Sequence, residues 1–202
     1  MSTFTQSAVT ALELIVSFDP DLWTIVGRSL GVSATSCLLA CGFGLVLGSW
    51  LGVARFRGRG ISLTVLNTML ALPSVVVGLV VYLLLSRSGP FGAWGWLFSF
   101  KAMVLAQGML VLPVVMALTR QVVEDAEHGH GEQSRSLGAG TLLRSMALAW
   151  DERYALLTVL IAAFGRAVSE VGAVMIVGGN IDGFTRVMTT AIALETSKGD
   201  LP

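Results

Sequence analysis

Two side chains of opposite charge, Arg166 and Glu170, lie inside the apolar stretch GRAVSEVGAVMIVGG at residues 165–179. A charge at the centre of a bilayer costs about 2.5–3.5 kcal/mol on insertion scales, so neither side chain is expected to face lipid. Residues four apart share a helix face and can pair, although the favourable order places the acid before the base. We therefore expect the two charges either to pair or to find partners on a neighbouring helix or a second subunit.

Polar residues follow where the sequence GGNIDG interrupts the apolar pattern. Backbone that is broken at membrane depth survives only when it is buried in protein or lines a watery cavity. We predict that a polar cluster lines the outer part of a transport pathway, the alternative being a solvated outer loop. Its members are Asn180, Thr185, Arg186, Thr189 and Thr190.

The remaining candidates for chemistry are weak. His128 and His130 stand beside acidic residues in EHGHGE, but two histidines on a Gly-rich segment rarely make a metal site, and we expect a solvated loop without metal or cofactor. The sequence has no G-x-x-x-x-G-K-[ST] loop and no Ser/His/Asp arrangement, so we expect this chain neither to bind ATP nor to catalyse a reaction. Cys37 and Cys41 are expected to be small buried thiols.

The composition is that of a membrane protein. The 202 residues are 54% hydrophobic and only 13% charged, about half the charged fraction of soluble domains. The formal net charge is zero, which gives no hint of a nucleic-acid partner. At about 20 apolar residues per crossing, four or five transmembrane helices fit, and little chain remains for a soluble catalytic domain.

Four spans are predicted, at about residues 22–53, 61–86, 102–119 and 154–177. Pro73 and Pro113 each remove a backbone donor within a span and are expected to kink it. Gly44, Gly48 and Gly52 form a stripe of small residues that allows another helix to approach the first span closely. A further short helix is expected in TRVMTTAIALETSKGD.

Charge and aromatic patterns predict the orientation. Arginine-rich segments at residues 54–60 and 120–153 mark the cytoplasmic side, and Trp94 and Trp96 mark the outer interface. Residues 1–21 are then expected to form an outer surface segment, and residues 22–202 one transmembrane domain. Because this topology leaves the chain end outside, a last span is expected to follow Pro202.

The loop at residues 120–153 carries a spacing motif. EQSRSLGAG places Glu132 six residues before Gly138, with helical patterns on both sides, so we expect a short helix, a glycine and a second helix that form a knob on the cytoplasmic face. This resembles the loop motif E-A-A-x-x-x-G of type I ABC importer permeases. Gln133 and Ser134 stand where that family prefers alanines.

The resemblance extends to LPSVVVGL, to GRAVSEVGA running into GGNI, and to the Thr-rich segment that follows, and it covers about residues 25–200. The chain is most similar to the tungstate permeases, with molybdate, sulfate and methionine permeases as relatives. The resemblance implies an all-α helix bundle with about five transmembrane helices per subunit in the cell (inner) membrane. It also implies three protein partners: a second copy of the chain, an ABC ATPase subunit inside and a solute-binding protein outside.

The resemblance implies a coupling role for the cytoplasmic loop, through Glu132, Ser136, Leu137, Gly138, Ala139 and Gly140. Arg166 and Glu170 are expected to organise a moving helix interface or gate; the alternative is that Arg166 lines the path and attracts an oxyanion. The expected function is that of a permease subunit of an ATP-driven importer whose cargo is an oxyanion, tungstate being the first choice. A rival from another class is an ion-coupled secondary transporter or channel with these two charges as a relay, which would need no docking loop.

Overall fold

A computed structural model describes residues 9, 13, 15–136 and 138–199, and gives the backbone alone for residues 130–136. Every regular element in that part of the chain is helical, which confirms the predicted all-α class. The loop residue Leu137 lies outside the described residues, and so does more than half of the predicted outer segment 1–21. The helices are α1 (Pro20–Val53), α2 (Arg59–Ala71), α3 (Ser74–Leu85), α4 (Phe100–Ser136), α5 (Thr141–Asp151), α6 (Arg153–Val168), α7 (Gly172–Gly178) and α8 (Met188–Lys198).

Two of the described helices, α1 and the part of α4 at Phe100–Gly129, are each long and apolar enough to cross a membrane. Two bent pairs, α2 with α3 and α6 with α7, raise the number to as many as four spans if each pair is one crossing. These apolar helices make the chain an integral membrane protein.

We call the end of the bundle that carries residues 54–60 the inner end, and the end that carries Trp94 the outer end.

The glycine stripe of α1 lies directly against α4, as predicted. A Cβ atom added to Gly44 would lie 2.7 Å from Val115 Cγ1, and one added to Gly48 would lie 2.7 Å from the Met116 carbonyl oxygen. Gly52 is nearly as close to the α4 backbone. The absence of side chains at these positions lets the two longest helices pack along each other.

Helix α4 is the centre of the bundle because it contributes to each described apolar cluster. At the outer end its residues Ala102–Leu110 pack with α3 and α7, and in the middle Val111 and Val115 pack with α1 and α6. At the inner end Val123 packs with Leu148 of α5. A displacement of α4 therefore reaches every layer of the bundle.

The second predicted span, residues 61–86, is wrong as a single helix. The chain forms α2 and α3 instead, and their axes are bent by 99°. Leu72 and Pro73 separate the two helices with extended backbone. The ring of a proline clashes with the preceding residue when that residue is helical, so Pro73 keeps Leu72 extended. Pro73 therefore ends α2 and does not merely kink a continuous span. Pro113, in contrast, lies inside the continuous helix α4.

The third span is also longer than predicted. Helix α4 does not end near Arg120 but continues to Ser136, so the expected separate short helix before Gly138 is the inner end of α4. Hydropathy detects only the part of a helix that lies in lipid. The polar residues after Arg120 have no apolar pattern, so hydropathy does not reveal that the helix continues. The histidines of EHGHGE consequently lie on a helix rather than on a loop.

The fourth predicted span, residues 154–177, is broken as well. Helix α6 ends at Val168, residues 169–171 interrupt it, and α7 follows at a 54° bend. The expected break at GGNIDG is present as a second interruption, and the expected helix after it is α8.

We predict that Gly48→Ala destabilises the protein, because its methyl group would meet the α4 backbone. An overpacked core site costs about 1–3 kcal/mol, so the melting temperature of the purified protein in detergent should fall. Gly42→Ala is the matched control, since a Cβ atom at Gly42 on the same helix has no neighbour within 4 Å. Equal melting temperatures for the two variants would contradict the close α1–α4 contact.

Candidate functional site

The two charges inside the fourth span form an ion pair. Arg166 Nη1 lies 2.6 Å from Glu170 Oε2, and the other carboxylate oxygen accepts a hydrogen bond from the Ala173 backbone N–H at 3.2 Å. The Glu170 side chain is only 3% exposed, whereas that of Arg166 is 41% exposed. Ser74, at the start of α3, is a further polar neighbour of the carboxylate. The acid is thus buried at the centre of the site and the base extends from it.

Of the two alternatives left open by the sequence, the structure shows the pair itself. The less favourable order of base before acid does not apply, because Glu170 is not part of α6. It lies in the interruption between α6 and α7, where its carboxylate accepts from an N–H of the first turn of α7. A negative charge at a helix N-terminus is stabilised by the unpaired N–H groups there. One carboxylate therefore neutralises Arg166 and accepts from the first turn of α7, so it satisfies polar groups on both sides of the break.

The predicted pathway residues lie around the second interruption, and most of their polar atoms are used locally. Thr185 is buried, and its hydroxyl donates to the Gly178 carbonyl at 2.5 Å and accepts from Ile181 N–H at 2.9 Å. Thr190 is equally buried and bonds the Val187 backbone. These two hydroxyls maintain the shape of the irregular backbone.

Two further members of the polar cluster connect it to neighbouring segments. The Thr189 hydroxyl donates to the Glu170 backbone carbonyl at 2.8 Å, so the ion pair and the polar cluster form one continuous site. Asn180 Nδ2 donates to the Thr190 carbonyl at 3.3 Å. The amide oxygen of Asn180 is buried without a hydrogen-bond partner.

Arg186 and Arg28 bring positive charge to the outer end. Arg186 pairs with the exposed Asp182 at 3.0 Å, and Arg28 of α1 donates to the Gly183 and Arg186 carbonyls at 2.7 and 3.3 Å. The Phe98 backbone N–H donates to the Val177 carbonyl at 3.0 Å, which ties the loop before α4 to the end of α7. The second interruption is thus held against both long helices.

Sequence reasoning missed Gln107. This α4 side chain is 2% exposed, and its amide nitrogen donates to the Ala167 carbonyl in the last turn of α6 and to Ser33 Oγ of α1 at 3.3 Å. Its amide oxygen accepts from Ser36 Oγ at 3.3 Å. The available signal was a lone amide within an apolar span, since such residues mark sites inside membranes. Gln107 joins three helices beside the α6 break.

The inner end carries a second group of charges. Glu124 of α4 pairs with Arg59 of α2 at 2.8 Å and also with Arg120, one turn earlier on α4. Glu127 of α4 pairs with Arg144 of α5, and both of these side chains are largely buried. The α5 helix is therefore fastened to α4 by an ion pair that water screens little.

The predicted coupling residues lie in the chain between the two partners of this ion pair, Glu127 and Arg144. Gly138 has a left-handed φ of +72°, and Ala139 and Gly140 lead directly into α5. A Cβ atom at Gly138 would have no neighbour within 4 Å, so the backbone conformation and not crowding requires glycine there. Glu132 and Ser136 lie on the α4 backbone, but their side chains, and all of Leu137, lie outside the described residues.

The remaining candidates occupy ordinary positions. His128 lies on α4 in a cavity that also borders Arg55, Arg59 and Glu124, whereas the His130 side chain is outside the described residues. Among the described residues, His, Cys, Asp and Glu do not come together in threes as a metal site requires. Cys37 and Cys41 are buried free thiols, as expected. Their sulfurs lie 3.7 Å apart, and the two residues of α1 pack against α6.

Comparison with known proteins relates this geometry to a family. The model of the "binding-protein-dependent transport system inner membrane component" family matches residues 44–198. The chain is 42% identical to the tungstate uptake system permease protein TupB of Peptoclostridium acidaminophilum, over 95% of this chain and 84% of that protein. It is 40% identical to a probable anion ABC transporter permease protein of Haloferax volcanii, over 89% and 80%. It is 30% identical to the molybdenum transport system permease protein ModB of Escherichia coli K12, over 86% and 79%.

The ion pair makes a double-mutant prediction. Arg166→Leu leaves the buried Glu170 carboxylate without its counter-charge and should lower the free energy of unfolding by about 3 kcal/mol. Adding Glu170→Gln should recover much of that loss, because no charge remains buried and an amide oxygen can still cap α7. Melting temperatures of the purified proteins in detergent measure both effects. A double variant less stable than Arg166→Leu alone would refute the pairing.

Proposed function

This chain belongs to the family of binding-protein-dependent transport system inner membrane components, and we propose that it carries tungstate across the cell membrane as the permease subunit of an ABC importer. The observation that carries the choice of cargo is the 42% identity with a tungstate uptake permease over 95% of the chain. A second relative of that name, from Campylobacter jejuni, is 39% identical over 94% of the chain. The molybdenum permease is more distant, at 30% identity.

The assembly that we propose follows from the role of a permease in such a system. A separate ABC ATPase binds the inner end and hydrolyses ATP, and a solute-binding protein delivers the oxyanion to the outer end. Two copies of this chain form the transport path in the cytoplasmic (inner) membrane. The chain itself acts as a transport subunit and not as an enzyme.

The inner end supports a coupling role for the segment Ser136–Gly140 and for Glu132. Helix α5 has a fixed orientation relative to α4 because Glu127 and Arg144 pair across the turn at Gly138. A push on α5 by the ATPase would therefore move α4 as a rigid element. Since α4 packs against every layer of the bundle, this movement would reach the outer end.

The outer end supports a gating role for the fourth span. Arg166 is the more exposed member of its pair, so it can change partners while Glu170 remains the cap of α7. Thr189 links Glu170 to the polar cluster, and through this link a movement of α6 would shift the cluster. We assign Asn180, Thr185, Arg186, Thr189 and Thr190 to the outer part of the pathway, the two buried threonines by shaping its backbone.

The coupling role predicts the effect of a charge at the knob. Gly138→Glu should abolish uptake and uncouple ATP hydrolysis from substrate, because a side chain strains the left-handed turn and a charge alters the docking surface. Gly60→Glu is the matched control, since it adds the same charge at the inner end in open space on α2. Uptake by right-side-out vesicles that contain ATP and the amount of the variant in the membrane are measured together. Normal transport by Gly138→Glu would contradict the coupling role of the segment Ser136–Gly140.

The cargo is tested by the ATPase activity of the reconstituted complex with its binding protein. We expect tungstate to stimulate ATP hydrolysis at lower concentration than molybdate, and sulfate to act weakly. Stimulation by sulfate or methionine in preference to tungstate would reassign the cargo within the family. Uptake driven by an ion gradient in ATP-depleted vesicles would instead favour a secondary transporter.

A further inference from the structure

A small polar cavity lies at the α6 break, between Gln107 and Glu170. Its volume is about 10 Å³, which is about the space that one water molecule needs. Its polar lining comes from three elements besides the break, with Ser29 and Ser33 on α1, Gln107 on α4 and Thr189 on α8. Polar cavities of this size hold water when two to four partners are present, whereas dry cavities are lined by apolar side chains.

The groups around the cavity have hydrogen-bonding capacity beyond the bonds described above. A carboxylate accepts about four hydrogen bonds. Glu170 receives one from Arg166 and one from Ala173 N–H, and Ser74 is a third polar neighbour, so at least one acceptor position is left. Ser33 Oγ accepts from Gln107, which leaves its own hydroxyl hydrogen to donate. Burying acceptors and donors without partners costs free energy, and the cost is greatest for a charged group.

We propose that one ordered water molecule occupies this cavity and hydrogen-bonds to the Glu170 carboxylate and to the serine hydroxyls of α1. Gln107 holds the α6 side of the break directly, through the Ala167 carbonyl. The water extends the same connection to the α7 side, where Glu170 caps the helix. The carboxylate thus stays solvated within the bundle although its side chain is 3% exposed.

The water-mediated link differs mechanically from the direct one. A water molecule can reorient and exchange its partners as the groups around it shift, whereas the amide of Gln107 is held by Ser33, Ser36 and Ala167. The link from α4 to the break is therefore direct on the α6 side, through Gln107, and water-mediated and adjustable on the α7 side. This inference concerns the subunit itself and does not depend on which oxyanion is carried.

Radiolytic hydroxyl-radical labelling of the complete transporter in lipid nanodiscs tests the proposal, because ordered water makes radicals beside buried side chains. Val174 and Val187 line the cavity and are 2% and 3% exposed. Val81 and Val111 are equally buried, at 0% and 1%, and border no described cavity, so they serve as matched controls. We expect several-fold more labelling of the first pair by mass spectrometry. Equal labelling of all four valines would overturn the proposal.

A cavity-filling variant locates the water. Ser33→Thr keeps the hydroxyl and adds a methyl group to the cavity, so labelling of Val174 and Val187 should fall to the level of Val81. Ser49→Thr makes the same change on α1 away from this cavity and should leave the labelling as in the unmodified protein. Undiminished labelling in a folded Ser33→Thr variant would place the water elsewhere and overturn the proposal.

Discussion

The structure depends on one constraint: backbone that is interrupted inside a membrane must find its hydrogen-bond partners in the protein or in water held within it. The fourth span is interrupted twice, at residues 169–171 and again after α7. Glu170 meets the constraint at the first interruption by pairing with Arg166 and capping α7. Thr185 and Thr190 meet it at the second interruption. The charges and hydroxyls that are unusual in an apolar sequence are therefore the groups that make a broken span possible.

Helix α4 connects this broken span to the inner end. Gln107 holds the end of α6, and Glu127 holds α5 through Arg144. From Gln107 to Ser136 the helix is continuous and spans roughly 43 Å at 1.5 Å per residue. The glycine stripe packs α1 against the same helix over several turns. A single continuous helix thus contacts the site of proposed gating and the site of proposed coupling.

Hydropathy, charge and residue size were enough to predict the membrane class, the first span, its glycine contact and the approximate place of the others. They failed where a helix boundary depends on one side chain in three dimensions. Pro73 divides a predicted span into two helices. Residues 154–177 were predicted as one helix, but Glu170 lies at a break and caps the second of two helices. The inner end of α4 has no sustained apolar pattern at helical spacing, so the sequence did not reveal that this end is helical. Gln107 is one amide among many residues, and only the packing of three helices around it reveals its role.

We propose that an ATPase subunit moves this chain through the segment that links α4 to α5. The most direct measurement attaches a photo-crosslinker at Ala139, in the complete transporter, without nucleotide and with ATP or ADP bound. We expect a crosslink to the ATPase whose yield changes with the nucleotide, and a far lower yield from the same group at residue 60, also at the inner end of the bundle. Failure of Ala139 to reach the ATPase in every nucleotide state would contradict the proposal.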